Sequence, residues 1–258
     1  MNNTLIKGLQ VIELLAHSST PLSLTEIARA LSLTKSNVHR LLSALSDGNY
    51  VIRNPESGFY TASIRLWELG SAVLSKLDLR LHAAHLMESL AEQTDESVHL
   101  SIQDRDEVVY VHKVDSPNPI RAYSQIGGRA PIHCVATGKA MLAFKSRESI
   151  LWSTRHLQSY TASTITSPEA MLEEIERIRR QGYALNAGEW REEVHGIGVP
   201  IFDGTGQVIA AIGLSGPKDR FTPEHIETCA DLLKHAAQDI MTSLGSHPSQ
   251  HALTHLYR

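Results

Sequence analysis

The residues near the start of the chain that could do chemistry are Ser36, Arg40, Ser43 and Asp47, with Asn37 and His39 on their flanks. At helical spacing they make one short, hydrogen-bonding, partly cationic face over residues 34–45. Such a face suits the major groove of DNA, where Arg reaches guanine and Asn reaches adenine. The opposite face is apolar: Val38, Leu41, Leu42 and Leu45. A second group, His133 and Cys134, invites nucleophilic or metal chemistry. A cysteine nucleophile needs a base held within reach. Neighbours on a strand point to opposite faces, and no acid–base constellation accompanies the pair. His99, His133, Cys134 and His195 lack the spacing of a metal-ligand set. His247, His251 and His255 recur every fourth residue, but Pro248, two serines and the position at the chain end read as a frayed tail.

The elements that must hold the polar face out can be read in order. Leu5, Leu9, Ile12, Leu15 and Ala16 repeat at helical spacing, so residues 4–17 are expected to be a helix. Ser23 with Glu26 forms a capping box, and Leu22 with Ile27 its hydrophobic staple, which starts a second helix near Leu24. Thr34 caps a third after a three-residue turn. This is helix-turn-helix spacing. Residues 50–53 and 59–61 are β-prone and flank the turn-forming residues 54–58, so a two-stranded wing is expected. The wing could lay Arg53 and its turn along the phosphates. Thr25, Lys35 and Ser57 complete the candidate DNA-binding set. Three-helix units with a hairpin also serve as protein-interaction modules, and a polar helix face is often only a solvated one.

Leu66, Leu69, Val73, Leu77 and Leu81 recur three and four apart, a narrow seam on one long helix over residues 63–90. The seam would pack on a partner helix or on the chain's own second domain. Beyond it, strands are expected at residues 98–102, 108–114, 120–126, 183–186, 197–202 and 207–215. Helices are expected from about Ala136 to Ala143, from Pro168 to Arg180 with Gly182 as the stop, and over residues 223–244. Short links favour antiparallel pairing. The fold class is α+β in two domains: residues 1–62, a linker at 63–80, a second domain at 81–245 and a tail at 246–258.

The chain has 258 residues, 42% hydrophobic and 20% charged, as ordinary globular proteins have. Its longest apolar run is too short to span a bilayer, and no secretion signal opens it. Two cysteines do not make a disulfide framework. A cytoplasmic protein is expected. The net charge is -4, but residues 1–80 carry eight Lys/Arg against six Asp/Glu, a net of +2. A phosphate backbone would be drawn to that end.

Residues 127–143, GGRAPIHCVATGKAMLA, resemble the signature segment of the IclR family of bacterial transcription regulators. Gly127, Pro131, Ala136, Gly138, Lys139, Leu142 and Ala143 fit its pattern. His39-Arg40-Leu41-Leu42, Pro200-Ile201-Phe202-Asp203 and Leu214-Ser215-Gly216-Pro217 are similar too, so the resemblance covers about residues 4–244. It implies a winged helix-turn-helix, a linker helix and a GAF-like effector-binding domain. It implies dimers, often paired into tetramers, on a roughly palindromic double-stranded operator, repression more often than activation, and an organic, sugar or aromatic acid as effector. It implies no cofactor. The family's pocket positions fall on Ala136, Thr137, Asn186, Gly196, Gly213 and Ser215. Asn186 stands for a usual acid and Gly213 for a usual serine, which removes polar anchoring. The amides of Ala136, Thr137 and Gly138 would face an anion at a helix start. Glu189, Trp190 and Arg191 would close over it, with Arg191 as carboxylate partner. The rival reading is a GAF-like enzyme or metal-binding sensor with a helical interaction module.

Overall fold

A computed structural model describes residues 3–74, 78–119 and 124–244. The chain divides into two compact units, Met1–Lys76 and Leu77–Arg258.

The first unit holds α1 (Asn3–His17), α2 (Leu24–Ala30), α3 (Lys35–Asp47), β1 (Val51–Arg53), β2 (Tyr60–Ala62) and α4 (Arg65–Leu74). The expected capping box forms: Ser23 Oγ accepts from the Glu26 amide, and Glu26 accepts from the Ser23 amide at 2.7 Å. Thr34 accepts from the Asn37 amide and starts α3. Ser32 takes a left-handed φ of 53° in the turn between the two helices. Val11, Leu15, Ile27, Val38, Leu41 and Leu42 are buried in one small core with Val51 and Tyr60. In the wing turn the Asn54 side chain accepts from the amides of Glu56 and Ser57 at 2.9 and 3.0 Å. Leu22 and Tyr60 exchange backbone hydrogen bonds, which tie the wing to the segment that starts α2.

The second unit is built on a six-stranded antiparallel sheet of order β5-β4-β3-β8-β7-β6. Its strands are β3 (Ser97–Asp104), β4 (Glu107–Val114), β5 (Arg129–Pro131), β6 (Ala184–Ala187), β7 (Val194–Phe202) and β8 (Val208–Pro217). One face is covered by α5 (Asp78–Thr94) and α9 (Pro223–Ser243). The other is crossed by α6 (Ala136–Ala143), with α8 (Pro168–Gln181) packed against it. Gly182 ends α8 at a φ of 77°, a left-handed cap that favours glycine.

Three expectations are corrected. No strand occupies residues 124–126, and residues 120–123 lie outside the described ones. The strand beside β4 is instead β5, within the glycine-rich segment. The amide of Gly127 donates to the Tyr110 carbonyl and the amide of Tyr110 to the Gly128 carbonyl, which sets that register. A short helix, α7 (Arg147–Ser153), follows α6 without having been anticipated. The alternative that the seam packs on the chain's own second domain is not met at Leu81, which is 78% exposed, whereas Leu79, Ala83, Met87 and Leu90 form the buried side of α5. Residues 75–77, where a single long helix would be continuous, lie outside the described ones, as do residues 245–258 with their three histidines.

Candidate effector cavity and nucleic-acid face

The first turn of α6 lies directly on the sheet. A Cβ added at Gly198 would stand 2.6 Å from the Thr137 amide nitrogen, and one added at Gly213 would stand 2.7 Å from the Thr137 methyl group. A Cβ at Gly213 would also stand 2.5 Å from the Ile197 carbonyl oxygen, so the neighbouring strand β7 and the Thr137 methyl together take the space that a side chain at 213 would need. Beside this contact is a cavity of about 60 Å³. Six of the expected effector positions line it: Ala136, Thr137, Asn186, Gly196, Gly213 and Ser215. Trp190 and Arg191 line it as well, the guanidinium 4.9 Å from the centre of the Trp190 ring.

Gly138 and Glu189 do not line the cavity, which corrects their assignment. A Cβ at Gly138 would run into the Ile132 backbone, so this glycine lets α6 approach the chain before it. Glu189 turns inward to Lys139. The Lys139 ammonium is wholly buried and donates to Glu189 Oε1 at 2.6 Å and Glu174 Oε1 at 2.9 Å. Glu174 is held in addition by Arg177. Burial pushes the Glu189 carboxyl up, and Lys139 opposes that shift. Asn186 is on the wall, but its amide is already engaged. It accepts from the Glu189 amide at 3.0 Å and donates to the Val194 carbonyl at 3.3 Å, clamping the loop that carries Trp190 and Arg191.

Sequence reasoning missed His99, Tyr110 and Ser124, which also line the cavity. His99 Nε2 is 2.5 Å from Ser215 Oγ, and Nδ1 is 3.2 Å from Ser124 Oγ. Burial, helped by Lys113 and opposed by Asp115, lowers the His99 imidazole to about 4. A signal was present: the alternation of Val98, Leu100 and Ile102 sets His99 on the other face of the same strand.

The first unit presents its expected polar face. Lys35, Ser36, His39, Arg40 and Ser43 on α3 are exposed and Asn37 is half-buried. Thr25 on α2 and Arg53 and Ser57 on the wing are exposed too. His133 and Cys134 are buried in a turn rather than on a strand. His133 Nε2 lies 3.0 Å from the Gln158 carbonyl. Burial, and then Glu189, pushes the Cys134 thiol up to about 12, the opposite of an activated nucleophile. Among the described residues no group of three or more His, Cys, Asp or Glu side chains could hold a metal ion.

A helix-turn-helix with a wing and a separate domain that holds a small, mostly apolar cavity with a few polar groups on its wall define a ligand-responsive, DNA-binding transcription regulator. The description "IclR helix-turn-helix domain" matches residues 4–55, and "Bacterial transcriptional regulator IclR C-terminal" matches residues 71–242. The chain is 37% identical to the HTH-type transcriptional regulator KdgR of Escherichia coli K12, over 88% of this chain and 87% of that one. It is 32% identical to the solved Thermotoga maritima IclR, covering 95% of this chain and all of that one, with a TM-score of 0.82. It is 26% identical to an IclR homologue of Microbacterium hydrocarbonoxydans solved with 4-hydroxybenzoate, at 94% and 99% coverage and a TM-score of 0.83. The chain belongs to the IclR family of bacterial transcriptional regulators. These relatives are regulators, and none of their names describes a catalytic activity. Among the described residues no helix is long and apolar enough to cross a membrane.

Two outcomes follow from the buried charges. Lys139→Met leaves Glu189 and Glu174 buried without their shared cation, so urea unfolding should register a loss of about 3–5 kcal/mol. His99 makes the second unit acid-sensitive. Its folded pKa of about 4 lies below the unfolded value of about 6.5, so between these limits the unfolded chain binds the extra proton. Stability should therefore fall as pH drops from about 6.5 to about 4, by up to about 3 kcal/mol from this group. His112, His133 and His195 are lowered by burial as well. The comparison of wild type with His99→Phe isolates the His99 share as a shallower acid slope in the variant.

Proposed function

We propose that the chain is a cytoplasmic homodimer, pairing further into a dimer of dimers, that represses transcription from a roughly palindromic operator until a small acid enters the cavity. Residues 1–62 would bind the DNA. Ser36, Asn37, His39, Arg40 and Ser43 would read bases, while Thr25, Lys35, Arg53 and Ser57 would hold phosphates. Residues 63–80 would link this module to the sensor, residues 81–245, and join the two copies. Exposed Ile64, Trp67 and Leu69 support that role for the linker, because large apolar side chains left in water mark an interaction surface.

The observation that carries the effector reading is the donor character of the cavity. Ala136 and Thr137 at the α6 N-terminus, Ser215 and Arg191 all line one small space. Helix N-termini and guanidinium groups favour carboxylates. The solved relative with 4-hydroxybenzoate supports an organic acid as the class. Regulation would be a population shift, in which the acid binds better to the arrangement that fits the operator poorly.

A mobility-shift assay with the DNA upstream of the chain's own gene, with and without carboxylic, sugar and aromatic acids, tests this reading. Release of the operator by at least one acid is expected. An acid that stabilises the protein yet leaves the affinity and geometry of the DNA complex unaltered would contradict it. Thr137→Val and Ser215→Ala are expected to lose the thermal shift produced by that acid while retaining DNA binding. An undiminished shift in both variants would move the binding site elsewhere. Arg40→Ala is expected to relax base preference and cost about 1–3 kcal/mol on the operator. An equal loss on random DNA would make Arg40 a phosphate contact instead.

A further inference from the structure

His99 is 5% exposed and tilted against Tyr110, with ring centres 5.2 Å apart. Its two nitrogens meet the hydroxyls of Ser215 on β8 and Ser124 on the loop before β5, and all three side chains line the cavity. With its pKa lowered to about 4 by burial, the ring is neutral at pH 7. A neutral imidazole has one N–H and one bare nitrogen, so it cannot treat the two serines alike. The serine that accepts the ring proton keeps its own O–H free to donate. The serine that donates to the ring shows only lone pairs.

Two observations choose the direction. The Lys113 ammonium donates to the Ser124 carbonyl at 2.6 Å, which puts a cation on the Nδ1 side of the ring, and a bare nitrogen is favoured beside a cation. Lys113 is paired with Asp115 at 2.8 Å, which tempers this effect without reversing its place. Ser215, bonded to Nε2, shares the cavity with the α6 N-terminus and Arg191, which only donate, and with Asn186 and Tyr110. A donating Ser215 completes that surface, whereas one showing lone pairs would repel the same oxygen.

We propose that His99 is a specificity-determining residue: protonated on Nε2, it fixes Ser215 as a donor toward the ligand. The cavity then accepts acids with an acceptor oxygen at that point and rejects those with an ammonium there. This selectivity, and the preference for a donating over an accepting Ser215, rest on the reading of the cavity as the effector site; the placing of Lys113 beside Nδ1 does not.

Nitrogen NMR of the full-length chain labelled with ¹⁵N-histidine reads the tautomer without any ligand. The His99 signals are identified by their loss in His99→Phe. A protonated Nε2 and a bare Nδ1 are expected at pH 7, and the reverse tautomer or a charged ring overturns the proposal. Calorimetry with four three-carbon acids that differ at the second carbon reads the selectivity. Pyruvate and lactate should bind the wild type at least about tenfold more tightly than alanine, with propionate between. In His99→Phe the four should converge to within about threefold. His99→Gln, which keeps a donor and an acceptor, should retain the order and serves if the phenylalanine variant does not fold. An order unchanged in His99→Phe, or four equal affinities in the wild type, defeats the proposal while leaving the cavity a binding site. No binding by any of the four defeats the selectivity proposed here, while the operator-release screen with sugar and aromatic acids still decides whether the cavity is the effector site.

Discussion

The second unit depends on an ammonium group that never meets water. Lys139 is buried with two carboxylates from different parts of the chain, Glu174 on α8 and Glu189 in the loop after β6. Desolvating such charges costs several kcal/mol per ion, so the cluster holds only where its geometry is well satisfied. That requirement fixes three elements at once. It sets α6 against α8, and it holds the loop of Trp190 and Arg191 near the first turn of α6. The cavity lies between those two walls. A charge cluster outside the cavity lining therefore gives the cavity its shape. Asn186 works in the same direction, because its amide bonds the loop backbone on both sides.

The first unit is organised by more local means. Its helices start at capped serine and threonine positions, and its apolar side chains meet in one small core. What remains outside is the polar face of α3 and the wing, the two surfaces a winged helix-turn-helix turns toward DNA. The division of labour agrees with the charge distribution: a net of +2 over residues 1–80 within a chain of -4.

Local chemistry was the legible part. The capping box at Ser23 and Glu26, the Thr34 cap and the Gly182 stop need only neighbours a few residues away, and each occurs as expected. Strands with clear alternation, such as β3 and β4, were legible for the same reason. Contacts between distant residues were not. Lys139 was visible as a signature residue, but its partners stand 35 and 50 residues further along. Ser215 was anticipated as a pocket residue, yet the histidine that orients it lies 116 residues earlier, and His99 had been weighed only as a metal ligand. Gly213 read as a lost anchor. The fold sets it against the Ile197 carbonyl of the neighbouring strand and the Thr137 methyl of α6, contacts that exist only once the strands pair and α6 lies on the sheet.

The central claim is that occupancy of this cavity and occupancy of the operator are coupled. Thermodynamic reciprocity gives a direct test, since a ligand that weakens DNA binding by some factor must itself be bound more weakly, by the same factor, when DNA is present. The measurement is a calorimetric titration of one binding acid into the free protein and into its operator complex, beside the operator affinity with and without that acid. Two weakenings by the same factor, about 5–150 for typical coupling, are expected. An acid affinity that is the same for the free protein and the operator complex would contradict the claim.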